Sequence, residues 1–346
     1  MRDDIQIELR APYLIFLADV TDRIYAKTGL GVAQWCRDRC MGQLRLPGCT
    51  VDAGLPDMDV KTAAARGARS LILGVAPVGG GLQHTWLATL AEAARTGLDI
   101  VAGMHQRLAS VPGLAGAAAA GGATLVDVRV PPPNVPVGSG RKRTGMRLLT
   151  VGTDCAVGKK YSALAITREL QRREVKATFR ATGQTGIMIA GKGVPIDATV
   201  CDFTAGAAEL LSPDNDADHW DIIEGQGSLF HPGYAAVTLG LLHGSQPDAI
   251  VLCHDPSRQT IEDYPHMPIP PLGIAIDRYL EAARLTNPNV RCAGISINSS
   301  SLSDNDWQAY QARGAAELDL PVCDPMRGGV DAIAQRLLDP RRLSPQ

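Results

Sequence analysis

Short apolar runs separated by stretches of helical spacing recur from one end of the chain to the other. Tyr13-Leu14-Ile15-Phe16-Leu17-Ala18 predicts a buried strand ending at Asp19, with a helix-compatible segment around Val32 to Cys40. Leu71-Ile72-Leu73-Gly74-Val75 predicts a second strand. It runs into Pro77-Val78-Gly79-Gly80-Gly81 and then a helical pattern from Thr85 to Ala94. Leu98-Asp99-Ile100-Val101 and Ala123-Thr124-Leu125-Val126 predict further short strands. Strands that alternate with helices imply a parallel sheet covered on both faces, so the first half reads as an α/β domain.

Val130-Pro131-Pro132-Pro133-Asn134-Val135-Pro136-Val137-Gly138-Ser139-Gly140 interrupts this pattern, and its consecutive prolines forbid helix or sheet interior. The expected organisation is a domain over residues 1–130, a linker over 131–144 and a second domain over 145–346. Alternation then restarts with Leu148-Leu149-Thr150-Val151 and Val175-Lys176-Ala177-Thr178-Phe179. Asp221-Ile222-Ile223, Ala249-Ile250-Val251-Leu252-Cys253, Ala293-Gly294-Ile295-Ser296-Ile297 and Leu320-Pro321-Val322-Cys323 follow. These strands deliver polar residues at their carboxyl ends, where open α/β sheets bind ligands. Pro265-His266-Met267-Pro268-Ile269-Pro270-Pro271 is too rich in proline to predict regular structure.

The richest chemistry lies between the first two of these later strands. Gly152-Thr153-Asp154-Cys155-Ala156-Val157-Gly158-Lys159-Lys160 follows a strand and opens a helix with Ala163, Ile166 and Leu170 on one face. In such a loop backbone N–H groups close around phosphate oxygens, helped by the helix N-terminus and the lysine. The position that ordinarily gives a Ser or Thr hydroxyl to Mg²⁺ is Lys160, and the nearest hydroxyl, Ser162, comes two residues late. A second ammonium there opposes a metal ion and favours an anion, so no metal is expected. Gly79 to Gly81 lacks the spacing of a dinucleotide fingerprint and suits a small anion or a plain turn.

Composition narrows the class. The chain has 346 residues, 45% hydrophobic and 20% charged, which suits two globular domains. A formal charge of −2 gives no reason to expect nucleic acid, and Arg141-Lys142-Arg143 reads as a solvated linker. No membrane span or secretory signal is evident, so a cytoplasmic protein acting on a small molecule is expected, with a homo-oligomer left open. Cys36, Cys40 and Cys49 lack the pairing a zinc site needs. Cys155, for which the loop could lower the pKa, reads as a small space-filling residue ahead of a nucleophile.

The loop, together with Gly183-Gln184-Thr185-Gly186, Gly193-Val194-Pro195-Ile196-Asp197, Asp202-Phe203 and Glu224-Gly225-Gln226-Gly227-Ser228, resembles a bacterial two-domain family long called a domain of unknown function. That family joins a Rossmann-like N-terminal domain to a P-loop NTPase-like, doubly wound C-terminal domain. One branch comprises D-glutamate N-acetyltransferases, which use acetyl-CoA. The resemblance therefore implies acetyl transfer to a D-amino acid, D-glutamate first. Gly152-Thr153-Asp154 and Glu224-Gly225 are also similar to the dethiobiotin synthetases, which leaves an ATP- and Mg-dependent kinase or ligase as the alternative. A nucleotide-binding protein without turnover is the third reading.

Acetyl transfer requires a base for the amine, donors for the oxyanion and cations for substrate carboxylates. Glu224, ending a strand beside the loop, is the leading base, followed by Asp202 and His231. Asp197 reads as a turn residue. Arg180 and Lys192, then Arg258, are candidates for substrate carboxylates, and Gln184 and Thr185, set among flexible glycines, for donors. Asn298 ends a late strand where it could read an adenine edge.

Overall fold

The computed structural model describes residues 7–75 and 81–339; Gly79 and Gly80 of the expected glycine cluster lie outside them. The elements run β1 (Ile7–Glu8), β2 (Tyr13–Ala18), α1 (Lys27–Trp35), β3 (Cys40–Arg45), α2 (Val60–Ala65), β4 (Ser70–Leu73), α3 (Leu87–Arg95), β5 (Asp99–Ala102), α4 (Leu114–Gly121) and β6 (Leu125–Asp127). Next come β7 (Met146–Gly152), α5 (Lys159–Arg172), β8 (Ala177–Arg180), α6 (Gln184–Ala190), β9 (Lys192–Gly193), α7 (Thr204–Leu211), β10 (Trp220–Ile223) and α8 (Ala235–Ser245). The chain closes with β11 (Ala249–His254), β12 (Thr260–Ile261), β13 (Tyr264–Pro268), α9 (Leu272–Arg284), β14 (Arg291–Ile297), α10 (Asp304–Leu318), β15 (Val322–Cys323) and α11 (Asp331–Leu338). No helix among the described residues is long and apolar enough to cross a membrane.

These elements form two compact units. Unit 1 takes the described residues up to Pro132 together with Gly183–Ala198, and unit 2 takes Pro133–Thr182 and the described residues from Thr199 onward. The lent segment 183–198 has its own anchors within unit 1. β9 pairs antiparallel with β1, and α6 packs on α1. Nothing in the hydrophobic pattern marks that excursion.

Unit 1 holds a parallel five-stranded sheet in the order β3-β2-β4-β5-β6. β2 is buried along its whole length, as a strand covered on both faces must be. The helix expected to reach Cys40 stops at Trp35, and Cys40 instead opens β3. That mixed strand, Cys-Met-Gly-Gln-Leu-Arg, carries no clean alternation and went unpredicted.

Unit 2 holds a parallel six-stranded sheet in the order β15-β14-β11-β7-β10-β8, so the strand leading into the loop is central. Its core joins Leu148, Ile222 and Val251 to the expected face of α5 (Ala163, Ile166, Leu170) and to Ile333 and Leu337 of α11. Two expectations fail here. The proline-rich stretch forms an antiparallel hairpin of β12 and β13, because an edge pairing leaves N–H positions that proline can occupy. Arg143 is not solvated; it is 5% exposed and donates to the carbonyls of Ser212, Gly244 and Ser245. Arg147 beside it is equally buried and donates to Ser212 Oγ at 2.9 Å and to neighbouring carbonyls.

Candidate functional site

β7 delivers the chain to the carboxyl edge of the unit 2 sheet, where Thr153 to Gly158 turn it into α5. Two glycines fix the path. Gly158 has φ of +103°, the left-handed region that side chains resist. A Cβ on Gly152 would lie 2.8 Å from Val157 Cγ2 and 3.1 Å from Lys159 Nζ. No side chain caps the N-terminus of α5, so its first-turn amides face the loop mouth without that competitor.

Lys159 is 7% exposed and folds back to donate from Nζ to the Asp154 carbonyl at 2.8 Å. Burial pushes its pKa down. Lys160 is also pushed down by burial, opposed by the negative charge of Glu224, and its Nζ lies 4.5 Å from the centroid of the Tyr161 ring. The acid at the end of β10 thus acts on the second lysine, while the first turns back into its own loop.

Glu224 is 4% exposed. Its Oε2 accepts the Thr182 N–H at 2.9 Å, and its carbonyl accepts the Thr182 hydroxyl at 2.8 Å. The next residue has to be glycine, because a Cβ on Gly225 would sit 1.7 Å from the Thr150 carbonyl and 3.0 Å from Lys159 Cδ. Ser228 and Tyr279 both donate to the Gly152 carbonyl, at 2.9 and 2.7 Å. Thr182 and Tyr279 were not singled out in the sequence, since neither belongs to a local motif.

Asp154 is wholly buried, and its carboxylate is fully engaged. Oδ1 accepts the Cys155 N–H at 2.6 Å; Oδ2 accepts Arg258 Nη1 at 2.8 Å and the Glu262 N–H at 2.9 Å. Arg258 also donates to the Cys155 carbonyl at 2.9 Å. Arg258, expected to meet a substrate carboxylate, is instead the clamp between the loop and residues 258–262. Thr153 Oγ1 lies 2.9 Å from His254 Nδ1, and burial pushes His254 down to about 4.

His231, 5% exposed, belongs to the same neighbourhood. Ligand-type atoms of Asp154, Cys155 and His231 all lie within 4.8 Å of one another. Gly233 N–H donates to His231 Nδ1 at 3.1 Å, so the ring proton belongs on Nε2. With Nδ1 receiving a donor and the Asp154 oxygens taken, this group is poorly arranged as a metal centre. The Cys155 thiol is pushed up by burial, against the lowered value that a phosphate loop suggested.

Other residues fall elsewhere. Asp202 is exposed in the turn before α7. Arg180 donates from Nε to Asp221 at 2.8 Å with only 12% of its side chain exposed, which commits it to the sheet's own buried charges. Asn298 Nδ2 donates to Asp255 at 2.9 Å, and its Oδ1 accepts the Ser300 N–H at 3.4 Å, the bonds of a strand-end cap. Gln184, Thr185 and Lys192 belong to unit 1. Gln184 packs under Gly103, where a Cβ would meet it at 2.9 Å, and Thr185 Oγ1 lies 3.4 Å from Thr28 Oγ1. The glycines around them were expected to be flexible, yet they begin α6. Lys192 is exposed on β9, and Asp197 pairs with Arg129 at 2.9 Å.

Comparison with known proteins finds two family matches along the chain. Residues 136–334 match the family described as "Domain of unknown function (DUF1611_C) P-loop domain", and residues 44–131 match its N-terminal partner, described as a "Rossmann-like domain". A protein of Tritonibacter scottomollicae named D-glutamate N-acetyltransferase is 47% identical over 94% of this chain and 99% of its own. One of the same name from Pseudoalteromonas is 44% identical over 96% and 100%. The crystal structure of a DUF1611 family protein from Anabaena variabilis superposes with a TM-score of 0.82 at 33% identity, over 95% of this chain and 99% of that one.

Proposed function

The chain belongs to the DUF1611 family, and on that footing we propose that it transfers an acetyl group from acetyl-CoA to the amino group of D-glutamate. The observation that carries this reading is the 47% and 44% identity, over nearly the whole length, to two relatives named for that reaction. The loop supports the choice of donor. Gly152 to Lys160 presents helix amides and two ammonium groups, which suit the phosphates of coenzyme A.

The donor's length divides the labour. Between the diphosphate and the sulfur of coenzyme A lie about a dozen bonds, roughly 14 Å when extended at ~3.5 Å per three backbone-like bonds. With phosphate on the loop, the thioester reacts an arm's length away. Glu224 and His231, buried at the loop, then shape the cradle; the proton of the acceptor amine goes to a group outside it. Among the acids singled out as bases in the sequence, Asp202 is the exposed one, so Asp202→Asn is the variant to try first.

Purified protein supplied with acetyl-CoA or Mg-ATP and a panel of D- and L-amino acids would test the reading. Thiol release that requires D-glutamate supports it, whereas Mg-dependent phosphate release without thiol overturns it. Glu224→Gln should hold kcat within about threefold. A kcat loss of roughly a hundredfold at unchanged coenzyme affinity would return Glu224 to the role of base for the amine.

A further inference from the structure

A P-loop ordinarily seats Mg²⁺ on the Ser or Thr hydroxyl after its lysine, with an acid from a neighbouring strand close by. Here the residues do not fit that ion. The hydroxyl position holds Lys160, whose ammonium is largely buried and feels the charge of Glu224. Ser162 cannot substitute: it is 1% exposed, with Oγ 3.0 Å from the Gly158 carbonyl and 2.7 Å from Ser296 Oγ. Asp154 has both carboxylate oxygens engaged by N–H donors, Oδ1 by Cys155 and Oδ2 by Arg258 and Glu262. Glu224 already accepts the Thr182 amide.

We propose that Lys160, in the first turn of α5 at the position of the metal-binding hydroxyl, takes the place of the divalent cation, making the loop a site for metal-free diphosphates such as that of coenzyme A. The charge logic is simple. An ammonium carried at the hydroxyl's position neutralises phosphate oxygens as the ion would, and it repels any Mg²⁺ that a nucleoside triphosphate brings. A Mg-bound triphosphate therefore meets a like charge where its metal should be coordinated. This deepens the acetyl-CoA reading and rests on it only for the choice of coenzyme as probe; metal-free binding does not depend on which group is transferred.

Calorimetry with coenzyme A and with ADP, each in EDTA and in Mg²⁺, tests it on the full chain. The wild type should bind coenzyme A no more tightly in Mg²⁺ than in EDTA. Lys160→Thr, which removes the charge, should weaken binding in EDTA at least about tenfold. Lys160→Arg, which keeps the charge, should bind without metal. Thermal midpoints of the variants identify any loss of fold. A wild type at least about tenfold tighter in Mg²⁺, or a folded Lys160→Thr with undiminished affinity in EDTA, overturns the proposal. Metal-free binding of ADP but not of coenzyme A would leave the inference standing and remove acetyl-CoA as the donor.

Discussion

Each unit contains a parallel strand, buried over all or nearly all of its length, that leads through a turn into a helix beginning with lysine, and the two crossings do different things. In unit 1, β2 ends at Ala18 and α1 begins Lys27-Thr28-Gly29. There the glycine serves packing: Gly29 donates to the Gly74 carbonyl at 2.8 Å, and a Cβ on it would lie within 3.0 Å of Gly74 Cα and Ile15 Cγ2. Asp19 accepts the Trp86 indole at 2.8 Å, so the strand's terminal acid ties the unit to itself. In unit 2 a Cβ on Gly158 would touch nothing within 4 Å, yet φ of +103° still demands glycine. One crossing uses glycine to bring backbone against backbone; the other uses it to turn amides toward a ligand. Lysine and glycine before a helix therefore do not make a phosphate site unless the backbone curls.

The largest expected contrast comes from the same substitution in both crossings. Lys159→Ala should weaken coenzyme A binding roughly a hundredfold by calorimetry, since it removes a buried charged donor. Lys27→Ala should stay within about twofold. Equal effects would erase the difference between the two crossings.

Acid should separate the units next. The strand-end partner in unit 2 is His254, pushed down to about 4 by burial, whereas unit 1 uses an indole, which does not titrate. A histidine whose folded value is depressed favours the neutral form. Its contribution is therefore full above about pH 6.5 and is lost as the pH falls through about 4, on the order of 2–3 kcal/mol. Urea midpoints measured across that window should fall in the wild type and flatten in His254→Asn. An identical slope in the variant would clear His254 of the effect.

The smallest of the three is Gly29→Ala, expected to cost about 1–3 kcal/mol in urea unfolding through overpacking against Gly74 and Ile15. Coenzyme affinity should not move with it. A shift in affinity would tie the first crossing to the ligand after all.

How much was legible in advance follows from how local each feature is. The loop could be read because strand, glycines, lysines and helix lie within one short run, and the face of α5 because its spacing is helical. The Asp154–Arg258 clamp joins residues 104 apart, and no pattern in either neighbourhood announces it. Lys160 and Glu224 could each be singled out, but their acting on one another is a product of β10 lying beside β7. β3 was missed because polar residues break its alternation, and the β12–β13 hairpin because proline argues against strand except at edges. Glu224 and His231 looked catalytic from type and position alone; neither motif announced that each also accepts a backbone N–H, from Thr182 and Gly233.

The lending of residues 183–198 to unit 1 has a consequence for biosynthesis. A nascent chain released as far as Pro132 still lacks α6 and β9, so β1 has no partner strand until the ribosome has passed Gly193. By then β7 and α5 of unit 2 have emerged as well, but the flanking strands β10 and β11 have not. A cut of the reading frame at the prolines leaves α6 and β9 on the product that lacks the rest of unit 1.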